Sequence, residues 1–189
     1  MSFSERCWQI FEQGTKAYHV TDRVDATVHN PYAVQSIEFY LYLKHWIDMV
    51  LWHYEEMIHD PAIEAERALS LKRHIDRSNM DRTDLVELID SILLDSYRNV
   101  ALQPGATLNT ETPGWAIDRL SLLELKVYHL QEALAHKDAD PLYLESCRHK
   151  LSLLQEQQHD LMLALDQLLT DIKEGRKQMK VYKQIKIYL

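Results

Sequence analysis

The chain is poor in residues that break or bend a backbone. Only four glycines and five prolines occur in 189 residues. So few breakers favour few loops and long regular elements. The two cysteines, Cys7 and Cys147, stand alone, with no Cys-x-x-Cys pair and no Cys/His spacing. That excludes a disulfide framework and a cysteine zinc site, and makes packed, reduced thiols the expectation. No apolar run approaches the roughly 20 residues of a membrane-spanning helix, so the chain is expected not to span a membrane. The start, Met1-Ser-Phe-Ser-Glu-Arg-Cys-Trp8, lacks the charged-then-apolar pattern of a secretory signal, which points to a cytoplasmic protein. There is no Gly-rich phosphate loop and no Gly-x-Ser-x-Gly elbow.

What is present is apolar and acidic. Apolar residues make up 46% of the chain, enough for one domain with a substantial core. The net charge of -8 is uneven. Residues 173–189 carry Lys173, Arg176, Lys177, Lys180, Lys183 and Lys186 against Glu174; setting these aside from 21 bases and 29 acids leaves 15 against 28. The body therefore repels nucleic acid and anionic lipid, and nucleic acid is not an expected partner. The division expected is a helical domain over 1–175 and a basic C-terminal arm over 176–189, docked on its acidic body or solvated.

Four of the five prolines follow a capping residue: Asn30-Pro31, Asp60-Pro61, Thr112-Pro113 and Asp140-Pro141. A short polar side chain accepts from free N–H groups at a helix start, and proline suits the next position because its missing N–H would lack a partner. These junctions predict helices near 4–20, 32–59, 61–100, 113–137 and 141–174, a long loop over 103–111, and a stop at Gly175. The fold expected is all-α: a bundle of about five helices, three or four of them long, with a short C-terminal arm. The arm alternates like a strand at Met179, Val181, Ile185, Ile187 and Leu189, yet Val181, Tyr182, Ile185 and Leu189 also fit a helix; a short helix or extended arm is expected.

The helix faces show where chemistry would sit. Leu144, Cys147, Leu151, Leu154, Gln158, Leu161, Leu165, Leu168 and Ile172 form a bundle seam at 3-4 spacing. A seam this regular favours a homodimer. Over 61–100 one phase runs through Ala68, Leu71, Ile75, Asn79, Arg82, Val86, Ile89, Leu93 and Val100, which argues for an unbroken helix and places Asn79 and Arg82 on the core side. A buried arginine needs a carboxylate, so this pair is either a polar layer that fixes register or an anion-binding pair. On 32–59, Tyr40, Leu43, Ile47, Val50, Tyr54 and Ile58 form the apolar face. Glu38, His45, Asp48, Glu55, Glu56 and His59 lie opposite, with Leu41 and Trp52 among them. That face is either solvated or the wall of a cleft. Asp118 and His129 share a line on 113–137 but lie three turns apart, so each can join a site only with groups from other helices.

Metal binding was weighed from spacing. Glu56-Met-Ile-His59 and Glu156-Gln-Gln-His159 resemble the Glu-x-x-His pairs of di-iron carboxylate bundles, with Glu38, Glu87 or Glu124 as further carboxylates. Helical phase turns Glu156 towards water, and chance pairs are expected among 10 histidines and 29 acids. Glu56 and His59 are therefore the remaining metal candidates, and no metal or cofactor is expected. A mononuclear site using His19, Asp22 or His53 can be drawn, but no spacing demands it.

Several stretches carry a family pattern: Tyr18-His19-Val-Thr-Asp22, Asn30-Pro31-Tyr32, Ser36-Ile37-Glu38, Trp46-Ile47-Asp48, Trp52-His53-Tyr-Glu55 and Ser78-Asn79-Met-Asp-Arg82. Asn109-Thr-Glu-Thr-Pro113-Gly-Trp115-Ala-Ile-Asp118-Arg119-Leu-Ser121 is the longest, and Met179-Lys180-Val-Tyr182-Lys183-Gln184 follows. On these the chain resembles an uncharacterised bacterial family, domain of unknown function 4254, over nearly its whole length. The resemblance implies no activity. It implies basic residues where His59 and His159 stand, which weakens the di-metal idea. It also implies alanine where Gly114 stands, a change expected to matter little at a helix start. It draws attention to His19, Asp22, Glu38, Asp48, His53, Asn79, Arg82, Glu111, Asp118 and Arg119, and gives a context near sugar-transferring enzymes of the cell envelope.

With no complete catalytic constellation, the leading expectation is a non-catalytic bundle that binds a protein partner or a small anionic ligand. Its candidate cleft comprises those ten residues and Trp52. The alternative is an enzyme whose Arg82 and Arg119 hold an anionic, phosphorylated-sugar-like substrate while Glu38, Asp48, His53 or Asp118 moves protons.

Overall fold

A computed structural model describes residues 1–136 and 139–183. Five helices carry the chain: α1 Phe3–Tyr18, α2 Ile37–Ile58, α3 Ala65–Ser96, α4 Pro113–Ala135 and α5 Pro141–Lys173. Two short strands, β1 Thr107–Leu108 and β2 Lys177–Gln178, pair in parallel. The protein is an all-α bundle with a short C-terminal arm. No helix among the described residues is long and apolar enough to cross a membrane.

The helix starts correct part of the proline reading. Thr112 and Asp140 cap α4 and α5 with proline at the first turn, as expected. Asn30 and Asp60 do not cap helices. Their side chains accept from the backbone N–H two residues on, at Tyr32 and Ala62. The same residue pair that suits a cap also suits this turn, and here the turn wins. Ser36 caps α2, accepting from Phe39 N–H, so α2 starts five residues after the expected 32. Glu64 precedes α3 without a side-chain cap bond. Ser2 and Glu5 form a capping box on α1. The last expected residue of α4, 137, lies outside the described residues.

Gly175 ends α5 as expected. Its φ of 73° lies in the left-handed region. Gly175 N–H donates to Ile172 O and Arg176 N–H to Asp171 O, the paired bonds of a Schellman stop. A Cβ there would also sit 2.3 Å from Ala101 O. The arm beyond is extended: Gln103 N–H donates to Gly175 O and Thr107 N–H to Arg176 O, so the long loop and the arm hold each other. Residues 184–189 of the expected arm lie outside the described residues.

α4 is the central helix and packs against all four others. Between 113 and 127 only Arg119 and Lys126 are exposed. The α5 seam faces inward along its length, with no member exposed. α3 runs unbroken through Ser78–Arg82, as its preserved phase predicts. α2 inverts its expected faces. Leu41, His45 and Asp48, assigned to the polar side, are fully buried, whereas Tyr40, Leu43, Ile47 and Val50 are half-buried. α2 packs against α1, α3 and α4, so both its sides lie against protein. Its charged groups are buried because they find partners there.

Candidate functional site

Two polar clusters follow α1, α2 and α4, one behind the other. The first is enclosed except at Arg82, which is half-buried. Lys44, with no exposed side-chain surface, places Nζ 2.5 Å from Asp48 Oδ2 and 2.7 Å from Asp118 Oδ1, and donates to Asp118 O at 3.3 Å. These three acceptors match its three ammonium protons. Arg82 reaches over from α3: Nε donates to Asp118 Oδ1 at 2.8 Å, Nη2 to Oδ2 at 2.5 Å, and Nε lies 3.3 Å from Asp48 Oδ1. Burial pushes the Asp118 carboxyl up, but Lys44 and Arg82 outweigh it and hold it below the ordinary carboxylate range.

The network continues inward. Ser121 Oγ donates to Asp48 Oδ2 at 2.5 Å, and Thr15 Oγ1 donates to Glu124 Oε2 at 2.6 Å. His45 lies between them, with Nδ1 2.7 Å from Ser121 Oγ and Nε2 2.8 Å from Thr15 Oγ1. Each hydroxyl has spent its one proton on a carboxylate. Both His45 nitrogens thus lie against hydroxyls, and Nε2 also lies 3.2 Å from Glu124 Oε2. Lys44, Arg82 and His45 meet three carboxylates, Asp48, Asp118 and Glu124. The cluster is satisfied within itself apart from Asp48 Oδ1.

The second cluster is not satisfied. His19 caps the C-terminus of α1, and His53 and His129 come from the C-terminal parts of α2 and α4. Their ring centroids form a triangle with sides of 5.7, 5.6 and 6.0 Å. One ligand atom from each falls within 4.8 Å of the others. All three Nε2 atoms are buried without a hydrogen-bond partner, as is the Tyr18 hydroxyl, whose ring stacks on His53 at 5.3 Å.

The outer partners orient the rings. His19 Nδ1 lies 2.8 Å from Thr15 O, and His53 Nδ1 lies 3.0 Å from Glu56 Oε2. A carbonyl and a carboxylate only accept, so both Nδ1 atoms donate and both Nε2 atoms are left facing inward. Glu56 Oε1 also accepts from Trp52 Nε1–H at 2.9 Å, and the Trp52 indole stacks on His129 at 4.7 Å with the planes 10° apart. Burial, with His19 and His53 beside it, holds His129 below the ordinary imidazole range, which favours its neutral form. Asp22 closes the mouth. Its φ of 50° lies in the left-handed region, which aspartate tolerates better than most residues. Its Oδ1 lies 3.5 Å from His53 Nε2 and 3.9 Å from His19 Nε2.

The expected single cleft divides accordingly. Asp48, Arg82 and Asp118 meet in the enclosed network, whereas His19, Asp22, Trp52 and His53 meet around the histidine triangle. Glu38 pairs with Arg6 at 2.7 Å, and Glu111 pairs with Arg119 at 3.1 Å on the surface. Asn79 is half-buried on α3, its carbonyl accepting from Thr83. Arg82 and Arg119 therefore do not form one anion clamp. Of the two Glu-x-x-His pairs, Glu56 bonds His53 instead of His59, which caps α2 in solvent, and Glu156 and His159 are exposed on α5. Lys44, Thr15 and Ser121 carry no catalytic or metal-ligand motif, and Glu124, a carboxylate of the di-metal reading, instead meets Thr15 and His45. The i,i+4 spacing of Lys44 and Asp48 is the one local signal that could have found the first cluster. His129 had been placed on a line needing partners from other helices, and it has them.

No curated protein and no solved structure matches the chain. A family model does match, over residues 38–181, described as a protein of unknown function (DUF4254). That match takes in α2 from its second residue, α3, α4 and α5, and with them His53, His129 and the enclosed network apart from Thr15; the chain belongs to this family.

Proposed function

We propose that the protein binds one divalent transition-metal ion through Nε2 of His19, His53 and His129, with Asp22 at the mouth, and holds a small anionic ligand at that centre. The observation that carries this reading is the trio of buried Nε2 atoms without a hydrogen-bond partner, brought together beside the Asp22 carboxylate. In their Nδ1–H tautomers the imidazoles would turn lone pairs towards one point, which a cation there would satisfy. Neutral imidazoles suit zinc, iron, nickel and copper. Ligand atoms about 3.3 Å apart follow from tetrahedral bonds of about 2.0–2.1 Å, so each Nε2 would move inward by less than about 1 Å. The hydrogen bonds from His19 to Thr15 O and from His53 to Glu56 are the outer partners that metal-bound histidines ordinarily have. Three histidines leave a fourth position for Asp22, water or a ligand, the pattern of sites that exchange a ligand rather than merely brace a fold.

This supports the small-ligand form of the binding reading. An enzyme that clamps its substrate between Arg82 and Arg119 gains little support, because both guanidinium groups are engaged by Asp118 and Glu111. The test is elemental analysis of protein purified without chelator, followed by cobalt(II) titration of the stripped chain. About one ion per chain is expected, with cobalt absorption bands of a low-coordinate nitrogen site, and both should be lost in H19Q/H53Q. A stripped chain that takes up no ion, or a double variant that still does, would defeat the proposal.

A further inference from the structure

A pocket of about 440 Å³ lies between α4 and α5, against the same wall as the histidine triangle. Trp52 and His129, the stacked pair, belong to both. A group resting in the pocket therefore touches the imidazole whose Nε2 faces the proposed ion. The volume falls in the range of small-molecule sites. Much of its lining is apolar, with Leu130, Ala133, Leu153 and Leu154. Leu153 is 46% exposed, so this wall reaches solvent without protein to cover it.

Two cations break the apolar lining: Lys126 from α4 and Lys150 from α5. Both are exposed, and neither has a carboxylate partner among the described residues. Two unpaired ammonium groups beside an apolar pocket are complementary to a ligand with an apolar body and an anionic head. A sugar-like polar ligand fits this lining poorly, because its hydroxyls would lose water and find few partners.

We infer that this pocket binds an organic anion with an apolar body, its head at Lys126 and Lys150 and its body along Leu130, Leu153 and Leu154. That this anion is the ligand of the metal centre rests on the reading above; the pocket itself does not. The probe is the aryl sulfonate 1-anilinonaphthalene-8-sulfonate, followed by fluorescence on the full chain, with uncharged N-phenyl-1-naphthylamine as control. One sulfonate should bind per chain. K126E/K150E should weaken it at least tenfold and leave the neutral dye within about twofold. A133W, which fills the pocket, should remove both. Circular dichroism and thermal melting confirm that the variants fold.

Sulfonate binding that is indifferent to the charge reversal, or that survives A133W, overturns the inference. So does self-association that excludes the dye, since the pocket would then belong to a second copy. Transition-metal content and cobalt(II) uptake are measured on the same preparations. A chain that binds the dye as described but takes up no transition-metal ion keeps the pocket and removes the metal reading. Metal binding without the dye pattern does the reverse.

Discussion

Replacing Lys44 with methionine tests whether the enclosed network is a structural necessity. Methionine keeps most of the apolar stem and removes the ammonium. Asp48 Oδ2 then retains Ser121, Asp118 Oδ1 retains Arg82, and Asp118 O loses a donor. Two carboxylates share the one guanidinium of Arg82, in a place where Asp48 has no exposed side-chain surface and Asp118 only 3%. Breaking a buried pair from one side costs about 3–5 kcal/mol, because the remaining charge is uncompensated. The whole stability of such a domain is about 5–15 kcal/mol, so K44M should lower the urea midpoint markedly. The cost should also depend on pH with a definite sign. In the native chain the Asp118 carboxyl sits below its ordinary value. Its stabilisation is thus present above the unfolded value of about 3.9 and lost as pH falls through the lower folded one. In K44M the carboxylates can protonate without losing that partner, so the gap from wild type should narrow on acidification through about pH 4 towards pH 3. Adding D48N to K44M removes the matching charge and should recover about 1–2 kcal/mol. A K44M loss below about 1 kcal/mol, or a gap constant with pH, would refute the view that these charges depend on each other.

Three further outcomes follow from single contacts. G114A should destabilise by about 1–2 kcal/mol in urea titration, because its Cβ would lie 2.6 Å from Cγ of Asp90, which is held by Gly114 N–H and Thr112 Oγ1; overpacking costs about 1–3 kcal/mol and helix propensity returns at most about 1. E56Q should weaken zinc binding about 10–100-fold in a competitive chelator titration, because an amide cannot accept from His53 and Trp52 together through two oxygens. D90N should compare more favourably with wild type at pH 7 than at pH 4 in urea titrations. Burial raises the Asp90 carboxyl despite the hydrogen bonds from Thr112 and Gly114. Whatever its neutral form contributes is therefore lost as pH rises through the folded value.

Helical phase revealed more of this fold than the junction residues did. The α5 seam and the unbroken α3 came from spacing, which depends on many side chains at once. Proline junctions depend on two residues, and Asn30 and Asp60 served turns with the same chemistry that serves a cap. Gly114 makes the same point. As a helix-start residue it looked replaceable, but an aspartate 24 positions earlier approaches the space its side chain would fill. No local pattern carries that contact.

The site was legible as parts and not as pairings. Phase placed Asn79 and Arg82 inward and so required a carboxylate for Arg82, but it could not choose among 29 acids. On α2 it left two meanings open. A helix with His45, Asp48, Trp52 and Glu56 along one line looks amphipathic, and such a line is either solvated or the wall of a cleft. Which holds depends on whether neighbouring helices supply partners at matching heights, as Arg82, Asp118 and Glu124 do for Asp48, Lys44 and His45. The residues then change meaning along α2. Near 44–48 every donor and acceptor but Asp48 Oδ1 is matched, and the cluster can serve to hold α1, α2, α3 and α4 in register. One or two turns further on the helices still meet, and three imidazoles bring Nε2 atoms without a hydrogen-bond partner to one place. Thr15 belongs to both levels, through Oγ1 to Glu124 and through its carbonyl to His19. The enclosed charges thereby fix the end of α1 from which His19 projects. Rigid support behind and unmet ligands in front is the arrangement a bound ion requires, so loss of the network should loosen metal binding even where every histidine remains.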